Sequence, residues 1–246
     1  MKKFIIEDID IDTDNKIVSY NSKHQKNVYT SIEINPIYKK FNNFEVISIF
    51  KRKRNELRTD GNPLIYALKG LKGWTIKTKD ILLLLKQFIK ITRKIELKYD
   101  TIIMVPSKNE LNQNFLFRLN KIIKADNTII DAFSKLEVGE VHDNYVDRTH
   151  LSDVDSNDLT KAFKRMIKYT DYFSYKYIPT HLRKYIQKSM FLEDDNEIDK
   201  MINDKDILIL DDTISTGSTI SETTKRIYNT FVPKSITVIT LFSSLK

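Results

Sequence analysis

The sequence predicts an α/β protein built on a parallel sheet. Three observations carry that expectation. From about residue 80 onward, short apolar runs alternate with segments whose apolar residues recur at helical spacing. The strand candidates are continuous, as in Thr101-Ile102-Ile103-Met104-Val105 and Ile207-Leu208-Ile209-Leu210, which suits strands covered on both faces. The second of these runs ends in two carboxylates and a loop of small residues that opens a helix. In open α/β sheets the carboxyl ends of strands are where ligands bind.

The elements follow in chain order. The first 75 residues read mostly as strands, with candidates over 27–35, ending at Pro36, and over 44–50. A basic cluster comes next, Lys51, Arg52, Lys53 and Arg54, followed by the turn signal Asp60-Gly61-Asn62. Pro63 opens a short helix that ends near Gly70 or Gly73. Asp80 is placed to cap a helix whose apolar residues fall at Ile81, Leu84, Leu85, Phe88, Ile91 and Ile95. A strand over 101–105 stops at Pro106, a helix covers 111–123, and a strand covers 128–133. Residues 134–190 are polar, charged and tyrosine-rich, with helices near 157–173 and 180–189. A strand over 206–210, a helix over 218–231 and a strand over 235–241 complete the chain. The organisation expected is an N-terminal hood or substrate-recognition region over 1–75 and a core over 76–246, with a long mobile insert at 134–190.

Composition narrows the function. With 41% hydrophobic residues in 246, a sizeable core can form. The absence of cysteine excludes disulfides and Cys-ligated metal sites. The 5 glycines exclude Gly-rich linkers. No Gly-Lys-Ser or Gly-Lys-Thr occurs, which excludes the usual nucleotide triphosphatase loop. The net charge of +8 favours anionic partners without choosing among them. Phe4-Ile5-Ile6 is too short for a signal-peptide core, and the aliphatic run 81–85 is too short to span a bilayer, so a soluble cytoplasmic protein with no membrane partner is expected.

The chemistry concentrates in Ile207-Leu208-Ile209-Leu210-Asp211-Asp212-Thr213-Ile214-Ser215-Thr216-Gly217-Ser218-Thr219. Residues 213–219 offer consecutive backbone N–H groups and five hydroxyls at a helix N-terminus, a cradle for a phosphate. Gly217 lets the backbone approach closely. Adjacent carboxylates would repel a phosphate, but they suit the vicinal hydroxyls of a sugar attached to one. Together these features point to a ribose 5-phosphate unit.

This stretch resembles the 13-residue phosphoribosyl-pyrophosphate (PRPP) signature of type I phosphoribosyltransferases: four apolar residues, two acids, then a Thr-Gly loop. The resemblance implies a Rossmann-like parallel sheet of about five strands flanked by helices. It also implies that Asp211 and Asp212 bind the ribose hydroxyls and that Thr213, Ile214, Ser215, Thr216, Gly217, Ser218 and Thr219 hold the 5-phosphate. The family's pyrophosphate loop would fall at Ser107, Lys108 and Asn109, with Lys108 as pyrophosphate ligand, so the catalytic set is Asp211, Asp212 and Lys108. Mg2+ would be held through PRPP and not by a dedicated protein site. The order of landmarks, including Tyr66-Ala67-Leu68-Lys69-Gly70, Ser189-Met190-Phe191 and Thr240-Leu241-Phe242, is similar to the competence protein F-like branch. The chain departs from that branch in lacking a Cys-rich zinc ribbon. The resemblance implies a phosphoribosyltransferase acting on an unidentified acceptor. Ser215 stands where 6-oxopurine enzymes carry an acid, which argues against ordinary purine salvage.

Other readings stay open at this level. One is a PRPP- or nucleotide-sensing regulator, or a bacterial conflict or anti-phage effector, that binds nucleic acid or a partner protein. Lys51–Arg54 is the nucleic-acid patch for it. A homodimer is compatible with either reading. Asp153-Val154-Asp155-Ser156-Asn157-Asp158 begins like a calcium loop but lacks the glycine and the closing glutamate, so it reads as a helix cap. His24, His142, His150 and His181 have no metal-ligand spacing.

Overall fold

The computed structural model describes residues 8–21, 28–41, 44–52, 63–95, 98–107, 110–214 and 216–243. In chain order, β1 (Asp8–Asp12) and β2 (Ile17–Asn21) form a hairpin, and β3 (Val28–Tyr29), β4 (Ile37–Phe41) and β5 (Phe44–Arg52) follow. Next come α1 (Pro63–Leu68), β6 (Thr75–Ile76), α2 (Thr78–Thr92), β7 (Thr101–Met104), α3 (Glu110–Ile123) and β8 (Asn127–Ile129). Then come β9 (Phe133–Lys135), α4 (Val138–Asn144), α5 (Asp153–Ile167), two 3-10 turns (Tyr175–Tyr177 and Thr180–Tyr185) and β10 (Met190–Leu192). The chain closes with α6 (Asn196–Ile202), β11 (Asp206–Ile214), α7 (Ser218–Thr230) and β12 (Ser235–Ser243).

The fold is α/β, and the main sheet is mixed. Its order is β3-β5-β12-β11-β7-β8, with β4 also on β5. The five strands β5, β12, β11, β7 and β8 run parallel, while β3 and β4 pair antiparallel with β5. The all-parallel sheet expected from the sequence is thus corrected at one edge. There a hairpin connection from β4 needs only a tight turn, whereas parallel neighbours need long crossovers. Residues 44–52, expected within the hood, form a strand of the main sheet because β5 pairs with β12 over most of its length, from Glu45 against Thr237 to Lys51 against Ser243. What remains beside the sheet is the three-stranded β1-β2-β6.

The central strand β11 shows why the sheet closes where it does. Ile207, Leu208, Ile209 and Leu210 are each 0% exposed, and burying each such side chain contributes about 2 kcal/mol. Leu208 and Leu210 join a core with α1, α2 and α3, which also takes Ile9 and Val18 of the small sheet. Ile207 and Ile209 face α6 and α7 on the other side. β11 runs to Ile214, four residues past the expected end, because Thr213 and Ile214 still pair with Phe242 and Ser243 of the equally extended β12.

Other local differences have simple causes. The 27–35 strand shrinks to Val28–Tyr29, since a turn occupies residues 32–34. Helix α2 starts at Thr78 with Lys77 as its cap, which leaves Asp80 buried in the first turn rather than capping it. The 128–133 run splits: Asn127–Ile129 pairs with β7, while Phe133–Lys135 leaves the sheet to pair with β10. The 134–190 insert is a small helical unit with its own core, including Phe163, Met166, Ile178 and Leu182. Ser152 caps α5 by accepting from the Asp155 N–H at 3.1 Å, as the helix-cap reading of that acidic stretch expects.

Candidate functional site

Strand order places the site. From β7 the chain crosses through α3 to β8 on one side, and from β11 it crosses through α7 to β12 on the other. The crevice between β7 and β11 is therefore a topological switch point, the place where open α/β sheets receive ligands. Both loops singled out from the sequence leave the carboxyl ends of this strand pair. Ser107 follows β7 at that edge, where the Val105 N–H donates to the Leu210 carbonyl at 2.9 Å. Lys108 and Asn109 lie outside the described residues, as does Ser215.

Asp211 and Asp212 sit near the end of β11 in unlike surroundings. Asp212 is 5% exposed and pairs with Lys69 Nζ at 2.6 Å. Lys69 directly follows α1, in the turn completed by Gly70 at φ 63°. Asp211 Oδ1 accepts from the Asp212 N–H at 2.8 Å and lies 3.5 Å from Asn112 Nδ2, in the first turn of α3. Desolvation by the surrounding protein, and then the charge of Asp212, push the Asp211 carboxyl up to about 7. Lys69 and Asn112 oppose that rise without cancelling it. The result is a carboxyl pair of which one member is charge-balanced and the other holds its proton close to neutral pH.

The phosphate-loop candidate is shorter than expected, because Thr213 and Ile214 belong to the strand. Gly217 caps α7 at φ 75°, a backbone that side chains rarely adopt. A Cβ there would come within 2.5 Å of the Phe41 ring, so any other residue would also have to displace that ring. The first N–H groups of α7 have no acceptor within the helix, and they point with the helix dipole toward the loop. Thr216 Oγ1 and Ser218 Oγ are 3.1 Å apart beside them.

Among the described residues, two buried polar atoms here find no hydrogen-bond partner: Asn112 Oδ1 and Thr213 Oγ1. Leaving such an atom unmet costs about 1–3 kcal/mol. Both lie beside the carboxylates, where a hydroxylated ligand would supply the missing donors and acceptors.

The insert also reaches the site. Arg183, half-buried, donates from Nη1 to Thr216 Oγ1 and from Nε to the Ile178 carbonyl at 3.0 Å. Burial holds this guanidinium below its ordinary pKa. Glu222 of α7 ties the same insert down. It accepts from Ser189 N at 2.6 Å, Met190 N at 3.2 Å and Tyr175 Oη at 2.9 Å, and also from the Ser189 hydroxyl. With its oxygens so engaged, Glu222 is a structural latch.

The structure thus brings Asp211, Asp212, Thr213, Thr216, Gly217 and Ser218 together and adds Lys69, Asn112, Arg183 and Phe41. Lys69 lies in a stretch noticed only as a landmark, and Asn112 and Arg183 carry no local signal. Of the basic cluster, Lys51 lies at the carboxyl end of β5, the same sheet edge as the site, with its Nζ 5.6 Å from the Tyr29 ring centre, and Arg52 ends that strand, while Lys53 and Arg54 lie outside the described residues. Among the described residues, no three His, Asp or Glu side chains converge as a metal site, and no helix is long and apolar enough to cross a membrane. No protein-family model matches the chain, and no curated protein matches it.

Proposed function

We propose that the chain is a PRPP-dependent phosphoribosyltransferase. The observation that carries this reading is the pairing of Asp211 and Asp212 with the Gly217-capped N-terminus of α7 at the β7/β11 switch point. Carboxylates for sugar hydroxyls and a helix N-terminus for a phosphate lie one short loop apart.

In this reading the 5-phosphate takes the 216–219 amides and hydroxyls with the Arg183 guanidinium beside it. Asp212, held by Lys69, and Asp211 take the ribose hydroxyls. The pyrophosphate lies toward Ser107, Lys108 and Asn109. The C1–oxygen bond to pyrophosphate breaks, its electron pair leaving with pyrophosphate, and the acceptor's nucleophilic atom bonds to C1. The chain's contribution is positioning and charge compensation around a ribosyl cation-like transition state. Mg2+ would be carried mainly by the oxygens of PRPP, since the ion commonly uses few protein ligands. When bound, the ion would neutralise pyrophosphate charge.

Calorimetric titration with PRPP and Mg2+ tests the proposal. Saturable binding that disappears in an Asp211→Asn, Asp212→Asn variant supports it. Heat-silent titration of a folded protein, or equal binding by that variant, overturns it. An acceptor screen reading pyrophosphate release then identifies the second substrate.

A further inference from the structure

The net charge is not spread over the molecule. Between residues 161 and 188 there are eight lysines and arginines against one acid, Asp171, which leaves +7 of the chain's +8 in these 28 residues. The same stretch holds five tyrosines. It forms the second half of α5, both 3-10 turns and the approach to β10, all on the insert's own core.

Several of these groups meet at the surface. Tyr169 is 71% exposed, and its ring lies 6.1 Å from that of Tyr177 with the planes 1° apart. Lys176 Nζ stands 4.8 Å from the centre of the Tyr177 ring, and the Arg165 guanidinium stands 6.0 Å from it. A second cation–aromatic group lies further along the insert, where Lys188 Nζ stands 5.1 Å from the centre of the Tyr145 ring and 5.4 Å from that of Phe191, which is 44% exposed. Flat aromatic faces set among cations over a packed core are the combination that holds unpaired bases and their phosphates together.

We infer that this face of the insert, centred on Arg165, Tyr169, Lys176 and Tyr177, binds single-stranded nucleic acid. The reading is independent of PRPP binding at the β11 site. A membrane surface fits less well, since interfacial binders insert leucine, phenylalanine or tryptophan. Residues 161–188 have no tryptophan, and their one leucine, Leu182, and both phenylalanines, Phe163 and Phe173, are buried. An acidic protein would satisfy the cations but leave the parallel tyrosine faces unused.

Fluorescence anisotropy of the full chain with a labelled 20-nucleotide oligothymidylate and with a mixed-sequence duplex is the test. The oligothymidylate is expected to bind saturably and more tightly than the duplex. Tyr169→Leu should weaken it about tenfold, the scale of one lost stacking contact, while Tyr169→Phe should bind like wild type. Arg165→Gln, Lys168→Gln, Lys176→Gln should flatten the slope of log affinity against log salt by about 2. Three outcomes would overturn the inference: no binding by a folded protein, duplex binding as tight as single-strand binding, or affinity unchanged by Tyr169→Leu. Equal competition by polyglutamate, or tighter binding to phosphatidylserine vesicles, would assign the face to an acidic protein or a membrane instead.

Discussion

Replacing Asp211 with asparagine should make the protein more stable at alkaline pH while abolishing its ligand binding. Asp211 titrates near 7 in the fold against 3.8 ordinarily. An acid whose pKa is raised takes up a proton on folding, so the fold bears no charge penalty here below pH 4. The penalty grows between about pH 4 and 7 and is complete above that. A shift of this size corresponds to at most about 4 kcal/mol. Partial solvent access at this position reduces this to about 2 kcal/mol. For a chain of this length that raises Tm by roughly 4–8 °C at pH 8. At pH 4 the two proteins should melt alike. Thermal melts of wild type and Asp211→Asn across pH 4–8, each paired with calorimetry for PRPP, read both effects. A variant that melts below wild type at pH 8, or a gain that does not shrink toward pH 4, refutes the placement of this carboxyl in a charge-penalising site.

Three further substitutions probe the surrounding groups. Lys69→Met removes the cation 2.6 Å from buried Asp212 and should cost about 3 kcal/mol in urea unfolding, most of it recovered in Lys69→Met, Asp212→Leu. Gly217→Ala combines a φ of 75° with a Cβ 2.5 Å from the Phe41 ring, so it should cost about 1–2 kcal/mol and eliminate phosphate-dependent binding. Adding Phe41→Leu should recover only the steric part of that loss. Arg183→Gln should weaken PRPP binding about tenfold, the worth of one charge-assisted hydrogen bond, with little change in the urea midpoint. An unchanged affinity would detach the insert from ligand binding.

The parts of this structure legible in the sequence are those fixed by neighbours along the chain. The 206–210 run, the carboxylates after it and the glycine before α7 form a local pattern, so β11, its loop and its helix could be read together. The 44–50 run was equally legible as a strand but not as part of the main sheet, because its partner β12 lies some 190 residues away and pairing at that distance leaves no local mark. The same holds for Lys69, Asn112 and Arg183. Each is an ordinary cation or amide at its own position and gains meaning only when a turn, α3 or the insert brings it to β11. The end of β11 was missed for a related reason: Thr213 and Ile214 read as loop until β12 extends alongside them. In the insert, the 180–189 stretch that reads as helix forms only the 3-10 turn Thr180–Tyr185, and the helix expected near 157–173 runs over Asp153–Ile167.

A crystal structure of the protein soaked with PRPP and Mg2+ tests the central claim most directly. The account predicts the 5-phosphate within hydrogen-bond distance of the 216–219 amides and Arg183, with the ribose hydroxyls on Asp211 and Asp212. Ligand density elsewhere on the protein, or a phosphate at the loop with the sugar turned away from both carboxylates, would contradict it.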